Sequence, residues 1–202
     1  MSPDKKTLSE EWMKCIKAAV DEAKITGMLA YLYDEDRWPS GFAGGIVPAK
    51  GMKYKIKVLE CREVNGKPGF RVRTENKITW YNNYSYIDVL DKDAAREFLK
   101  STYQAYYKEF GKEFGKTVPA IFTDEPNYSL FYNQDPKCYY VPWTEKLPDY
   151  FRRKNGYDIK RHLISLFYEK GDWKKIRHDY WKAVSGLFLE SWTRTIYEWC
   201  DK

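Results

Sequence analysis

Two groups of acidic residues each follow a short apolar run of the chain. The acids at positions 34–36 come directly after residues 28–33, and those at positions 124–125 follow residues 118–122. Short unbroken apolar runs are typical of strands that are buried on both faces of a parallel sheet. The carboxyl ends of such strands gather at one edge of the sheet, where α/β folds build their active sites. The sequence therefore predicts that both acidic groups open onto a common cleft.

Paired carboxylates in a cleft are suited to the hydrolysis of glycosidic bonds. One carboxyl group donates a proton to the leaving oxygen, while a second activates water or attacks the sugar. Glu125 is the best candidate for the proton donor, because partial burial after an apolar strand suits a carboxyl that must hold a proton. The predicted catalytic residues are Glu125, Glu35 and Asp124. Glu35 or Asp34 would orient water, a cation or sugar hydroxyls.

Polar and aromatic side chains around these acids are candidates for holding a substrate. The predicted substrate-binding residues are Asp34, Asp36, Arg37, Trp38, Ser40 and Tyr128. The aromatic side chains that could stack on sugar faces are Trp38, Tyr128, Tyr132 and Trp143. The glycines at 41, 44 and 45 would let a ligand approach the backbone closely.

The same residues also allow plainer roles. Acids that follow a strand commonly cap the next helix or form an ion pair, here with Arg37. Clustered acids can also hold a hard cation such as calcium through their oxygens. Most of the aromatic side chains would then fill the core, and the glycines would serve turns.

The composition excludes several classes of protein. The chain has 202 residues, of which 18% are aromatic and 32% charged, and its formal net charge is +6. Its lysines alternate with acids as on an ordinary solvated surface, so we expect no nucleic-acid partner. No apolar run approaches the ~18 residues that span a bilayer, so we expect no membrane partner. The polar start of the chain shows no apolar signal core, which predicts a cytoplasmic protein.

Cysteine and histidine spacing gives no sign of a zinc centre or a disulfide framework. The four cysteines are far apart and form no C-x-x-C pair, which indicates free thiols. The two histidines, His162 and His178, lie on predicted helices. The candidate chemistry therefore relies on carboxylates.

Local patterns predict the elements that must position the acids. A helix begins near Thr7 or Ser9 and ends at Gly27. Alternating residues around an Asn-Gly pair at 65–66 predict an antiparallel hairpin over about 53–80.

The second half of the chain is predicted to be mainly helical. A helix with one apolar stripe begins at Asp91 and closes at Gly111 or Gly115. After the second apolar run, a loop rich in tyrosine and proline extends to about Thr144, and three helices follow, the last from Asp172.

Buried strands that are joined by helices indicate a parallel sheet with right-handed crossovers. We therefore predict one α/β domain over residues 1–202, a (β/α)₈ (TIM) barrel-type fold with an inserted hairpin. A complete barrel takes ~250 residues, so the chain is expected to be part of a barrel. Exposed sheet edges would then favour a homodimer or contact with the missing remainder of the barrel.

The two acidic loops also carry a resemblance to a known family. Residues 33–45, YDEDRWPSGFAGG, resemble the signature Y-D-E-x-x-W-P-S-G-x-A-G-G of α-L-rhamnosidase-like glycoside hydrolases (family 106 and relatives). Residues 86–90 (YIDVL) and 122–126 (FTDEP) are similar to a downstream block of that family, as is much of the segment 155–200.

The resemblance implies a (β/α)₈ catalytic barrel, cleavage of a glycosidic bond by carboxylates, and calcium near the sugar site. Asp34, Glu35 and Trp38 match the first signature, and Asp124 and Glu125 match the second. The family's enzymes are far longer, with further barrel strands and β-sandwich domains. The alternative to a catalytic segment is a carbohydrate-binding remnant of such a barrel, which holds a glycan without cleaving it.

Overall fold

The structure is a computed structural model that describes residues 7–75, 77–128, 135 and 137–201. Its helices are α1 (Glu10–Thr26), α2 (Ile46–Ala49), α3 (Lys92–Ser101), α4 (Tyr103–Phe110), α5 (Leu147–Asn155), α6 (Leu163–Phe167), α7 (Trp173–Phe188) and α8 (Arg194–Cys200). Its strands are β1 (Leu32–Tyr33), β2 (Lys57–Val64), β3 (Lys67–Thr74), β4 (Ile121–Phe122) and β5 (Cys138–Trp143). These elements confirm the predicted mixed α/β class.

Helix α1 begins and ends close to the predicted positions. The Ser9 hydroxyl accepts a hydrogen bond from the backbone N–H of Trp12 at 3.3 Å, so Ser9 is the N-cap rather than Thr7. Gly27 adopts a left-handed conformation that ends the helix, which is the conformation that glycine commonly takes at this position. Trp12 and Val20 lie on the buried face of α1.

Strands β1 and β4 pair in parallel, as the apolar runs predicted. Leu32 lies opposite Ile121, and Tyr33 lies opposite Phe122. The residues that follow the two strands therefore start from the same edge of this sheet, which brings the two acidic groups together.

The two apolar runs form shorter and less buried strands than predicted. Met28, Leu29 and Phe122 are 65%, 57% and 56% exposed, whereas Leu32 and Val118 are buried. The expectation of burial on both faces is wrong for these runs. The described part of the chain gives β1 and β4 no strand neighbours other than each other, so part of each run stays at the surface.

Strands β2 and β3 form the predicted antiparallel hairpin. Their pairing runs from Lys57 opposite Thr74 to Val64 opposite Lys67, with Asn65 and Gly66 in the turn. Both turn residues have positive φ angles, which a two-residue hairpin turn of this kind requires.

A third strand completes the antiparallel sheet, in the order β3-β2-β5. Strand β5 pairs with β2, from Lys57 opposite Trp143 to Arg62 opposite Cys138. The prediction of a loop up to about Thr144 is therefore wrong for β5. Its partner is distant in the sequence, and no local pattern indicates such a pairing.

The helix predicted from Asp91 is interrupted at Thr102 and becomes α3 and α4. Asp91 caps α3 by accepting a hydrogen bond from the N–H of Asp93 at 2.9 Å. The predicted stripe is nevertheless continuous, and its buried members are Ala95, Phe98, Leu99, Thr102, Tyr103, Tyr106 and Phe110. On α4, the hydroxyls of Tyr103 and Tyr106 donate hydrogen bonds at the end of β1, to Asp34 and to the Tyr33 carbonyl.

The carboxyl-terminal helices form a second core around α5 and α7. Helix α7 continues through a π-helical turn, Leu189–Thr193, into α8, so the predicted long final helix is confirmed. No helix in residues 7–201, as far as they are described, has both the length and the apolar character needed to cross a membrane.

Candidate functional site

The acidic groups that follow β1 and β4 meet at the edge of the parallel sheet. The Tyr33 hydroxyl donates a hydrogen bond to Asp124 Oδ2 at 3.3 Å. The Ser40 hydroxyl donates to Asp34 Oδ1 at 2.5 Å and accepts from the N–H of Asp124 at 2.8 Å. Ser40 thus joins the two groups, and its backbone N–H donates to the Asp124 carbonyl at 2.9 Å.

Glu125 lies at the surface of this junction. The indole N–H of Trp38 donates a hydrogen bond to Glu125 Oε2 at 3.1 Å. Glu125 is exposed, so the partial burial predicted for it is wrong, whereas Asp124 is half-buried. The backbone of Glu125 has a φ of 41°, a left-handed conformation that is costly for a residue with a Cβ. Such strain clusters at functional sites.

Glu35 is fully enclosed by the loop to which it belongs, the acidic loop (residues 34–45). Its carboxylate accepts hydrogen bonds from the N–H groups of Ala43 and Gly44, both at 2.6 Å, and from those of Gly41 at 3.3 Å and Asp36 at 3.1 Å. Burial raises the pKa of Glu35 well above its ordinary value, against the effect of these donors. With an exposed fraction of 1%, this carboxylate organises the loop and does not face solvent.

The glycine at position 44 explains how the loop closes around Glu35. Gly44 has a φ of 60°, and a Cβ at this residue would lie 2.1 Å from the Thr7 hydroxyl. Only a residue without a side chain can therefore bring its N–H to Glu35 while α1 and its preceding residues pack behind it. This supports turn geometry as the role of Gly44, rather than the predicted close approach of a ligand.

Asp34 is the second buried acid of the loop. Its Oδ2 accepts a hydrogen bond from the Tyr103 hydroxyl at 2.9 Å, in addition to the Ser40 contact on Oδ1. Burial raises the pKa of Asp34 to about 6, although both hydroxyl donors favour the ionised form. Asp34 is therefore held inside the molecule, whereas Glu125 is exposed.

The raised pKa of Asp34 predicts a specific dependence of stability on pH. The folded protein holds this proton more tightly than the unfolded chain, so the resulting stabilisation is complete below pH 3.8 and is lost as the pH rises through about 6. Between pH 7 and pH 5, the free energy of unfolding should rise by about 1 kcal/mol more in the wild type than in Asp34→Asn. Urea denaturation at both pH values measures this difference. Parallel pH profiles of the two proteins would contradict it.

Asp36 and Arg37 form an ion pair beside the buried acids. Arg37 Nη2 lies 3.2 Å from Asp36 Oδ2, and the Asn82 amide donates to the same oxygen at 3.2 Å. The pairing with Arg37 is thus the plainer role that the sequence also allowed. Within the described ranges, no group of three or more histidine, cysteine or acidic side chains is arranged to hold a metal ion.

The structure adds residues that sequence reasoning missed. Residues 77–86, here called the exit segment because they lead out of the hairpin, cover the acidic loop. The Tyr86 hydroxyl donates to the Ser40 carbonyl at 2.5 Å and accepts from the N–H of Asn127 at 3.3 Å. The Trp80 indole donates to the Trp38 carbonyl at 2.6 Å. The dense run of aromatic and amide residues in this segment, WYNNYSY at 80–86, is the available sequence signal.

The structure tests one of the aromatic residues predicted to bind sugar. Trp143 is 5% exposed in the core around α5 and α7, so it cannot stack on a ligand, and that prediction is wrong. Tyr128 is half-buried and contacts Phe188 edge-to-face, with ring centroids 5.3 Å apart. Tyr132 lies outside the described residues.

The cysteines are free thiols, as predicted. Cys61 and Cys138 are buried, and Cys15 and Cys200 are exposed.

Two cavities flank the strand pair that carries the acids. One of about 270 Å³ lies between α1 and β1 and reaches Glu35 and Asp36. The other, of about 310 Å³ and mainly apolar, lies between β4 and α8 and reaches Thr123. Glu125 and Trp38 line neither of these two cavities.

Comparison with known proteins adds no relative: no family model matches the chain, and neither a curated protein nor a solved structure matches it significantly.

Proposed function

We propose that this chain is a segment of a glycoside hydrolase catalytic domain that cleaves O-glycosidic bonds, with α-L-rhamnosides or related sugars as substrates. The observation that carries the proposal is the meeting of Asp124 and Glu125 with the acidic loop across the β1–β4 pair. The signature at 33–45 covers the end of β1 and that loop. Glu125 is exposed, and it contacts the loop by accepting a hydrogen bond from the Trp38 indole.

In the proposed reaction, Glu125 donates a proton to the leaving oxygen. Asp124 is the partner carboxylate that activates water or attacks the sugar. Tyr33 supports this second role, because its hydroxyl donates a hydrogen bond to Asp124 Oδ2 and so holds that carboxylate in place. Burial and the neighbouring acids raise the pKa of Tyr33, which therefore keeps its proton.

Glu35 and Asp34 take a different part from the one expected from the sequence. Both are enclosed by hydrogen-bond donors of the protein, so we assign them to positioning the acidic loop. The loop in turn carries Trp38, which contacts Glu125. A contact of either buried carboxylate with water or sugar would require the loop to open.

The proposed architecture is part of a (β/α)₈ barrel. A parallel pair joined by a crossover that includes α3 and α4 is the repeating unit of such a barrel. Further strands, from a longer chain or from a second copy, would pair with the outer edges of β1 and β4. The exposed side chains of Met28, Leu29 and Phe122 favour such a partner.

A carbohydrate-binding remnant is the second candidate function. It is favoured by the burial of Asp34 and Glu35, which leaves fewer acids at the surface than the sequence suggested. In this case the aromatic and polar side chains around Glu125 would hold a glycan, and no bond would be cleaved.

An activity screen beside isothermal titration calorimetry distinguishes the two functions. We expect the purified chain to release chromophore from a panel of aryl glycosides that includes the α-L-rhamnoside. It should also bind rhamnose- and galactose-containing oligosaccharides. Binding without turnover would favour the remnant, and neither binding nor turnover would refute both functions.

A further inference from the structure

We infer that Trp80, in the exit segment of the hairpin, forms the floor of a sugar-binding subsite next to Glu125. The inference rests on the proposed function for the class of ligand, a pyranose ring of a glycan. It adds a residue outside the acidic loop and the acids at 124–125. It also gives the inserted hairpin a role in substrate recognition.

Trp80 is fixed to the acidic loop at two points. Its indole N–H donates to the Trp38 carbonyl at 2.6 Å, and its own carbonyl accepts from Arg37 Nη1 at 3.3 Å. Trp38 in turn donates its indole N–H to Glu125 Oε2 at 3.1 Å. Trp38 therefore links Trp80 to the proposed proton donor, through one hydrogen bond at its carbonyl and another at its indole.

The exposure of Trp80 is not explained by packing within the molecule. Trp80 is 47% exposed, whereas Tyr81 and Tyr86 of the same segment are completely buried in the core. The one polar atom of the Trp80 side chain is already used within the protein, so the solvent-facing part of the ring offers only an apolar surface. An exposed indole that is held in place can bind a ligand at low conformational cost.

The chemistry around this ring favours a sugar. One face of a pyranose is lined by C–H groups that pack on an aromatic ring, while its hydroxyls form hydrogen bonds at the rim. Ligand sites characteristically combine aromatic surface with a few polar groups that fix orientation. Here the Arg37 guanidinium binds the Trp80 carbonyl, and the Glu125 carboxylate accepts from the Trp38 indole. We therefore place the sugar ring adjacent to the cleaved bond on the indoles of Trp38 and Trp80.

Trp80→Ala tests the inference, with Trp181→Ala as a matched control. Trp181, on α7, is also exposed, at 43%, and belongs to the helical part of the chain. We expect Trp80→Ala to weaken binding of a rhamnose-containing oligosaccharide about 10-fold by calorimetry, and the control to bind as the wild type does. In turnover assays the same change should raise KM more than it lowers kcat.

A second variant and a melting measurement distinguish a loss of binding from a loss of folding. Trp80→Phe keeps an aromatic ring but lacks the N–H that binds the Trp38 carbonyl, and we expect it to retain part of the affinity. Circular dichroism melting identifies any variant that fails to fold. Unchanged affinity in Trp80→Ala, equal loss in Trp181→Ala, or no oligosaccharide binding by the wild type would each overturn the inference.

The outcome is separable from that of the proposed hydrolysis. Loss of binding in Trp80→Ala, in a protein whose wild type binds but never cleaves, would support the subsite and refute the hydrolase. Normal binding by Trp80→Ala in a protein that cleaves aryl glycosides would refute the subsite alone.

Discussion

Replacing Glu125 with glutamine is expected to lower the turnover of a glycoside by about 10²–10⁴-fold while the fold stays intact. Glutamine has nearly the same shape as glutamate but has no proton to give to the leaving oxygen. The residue is exposed, and its carboxylate accepts a hydrogen bond from the Trp38 indole, which the glutamine carbonyl can also accept. Stability should therefore change little, which thermal melting would verify.

Comparing substrates with different leaving groups makes this test specific to proton donation. A substrate whose leaving phenol is strongly acidic departs without protonation, whereas an ordinary sugar alcohol does not. The loss of rate in Glu125→Gln should therefore be largest for natural oligosaccharides and smallest for dinitrophenyl glycosides. Glu63→Gln, at an exposed position of the hairpin, is the matched control and should be as active as the wild type. Unchanged turnover in Glu125→Gln would refute the assignment of Glu125 as the proton donor.

Replacing Glu35 with alanine is expected to destabilise the protein by about 2–5 kcal/mol, because each buried N–H left without an acceptor costs about 1–3 kcal/mol. The change removes a buried carboxylate and leaves the loop N–H groups that donate to it without a partner. The shortest of these hydrogen bonds come from Ala43 and Gly44, whose nitrogens lie 2.6 Å from the carboxylate oxygens. The acidic loop should then lose its conformation, and with it the contact between Trp38 and Glu125. The expected result is a large decrease in the midpoint of urea denaturation.

A surface glutamate provides the comparison for Glu35. Glu22 is exposed on α1, and Glu22→Ala should change the free energy of unfolding by less than about 0.5 kcal/mol. If Glu35→Ala were as stable as the wild type but inactive, Glu35 would act on the substrate, as the sequence alone suggested, and the positioning role would be wrong.

Much of the fold follows from local physical rules. A serine followed by an amphipathic stretch and a glycine defines α1, since caps and periodicity act within a few residues. Alternation on either side of Asn65–Gly66 defines the hairpin, because that pair suits a turn with two positive φ angles. The closeness of the two acidic groups was also predicted, since parallel strands place their carboxyl ends at one edge.

Residue type and spacing alone therefore determined where the acids, the hairpin and the first helix lie along this chain. Tertiary structure decided which acids are inside: Asp34 and Glu35 are buried because donors from the acidic loop and from α4 converge on them. It also decided that Trp143 belongs to the core and that Trp80 lies beside Trp38. Caps, turns and periodicity arise from neighbouring residues, whereas burial and the contacts of an exposed ring depend on segments that only the complete fold brings together.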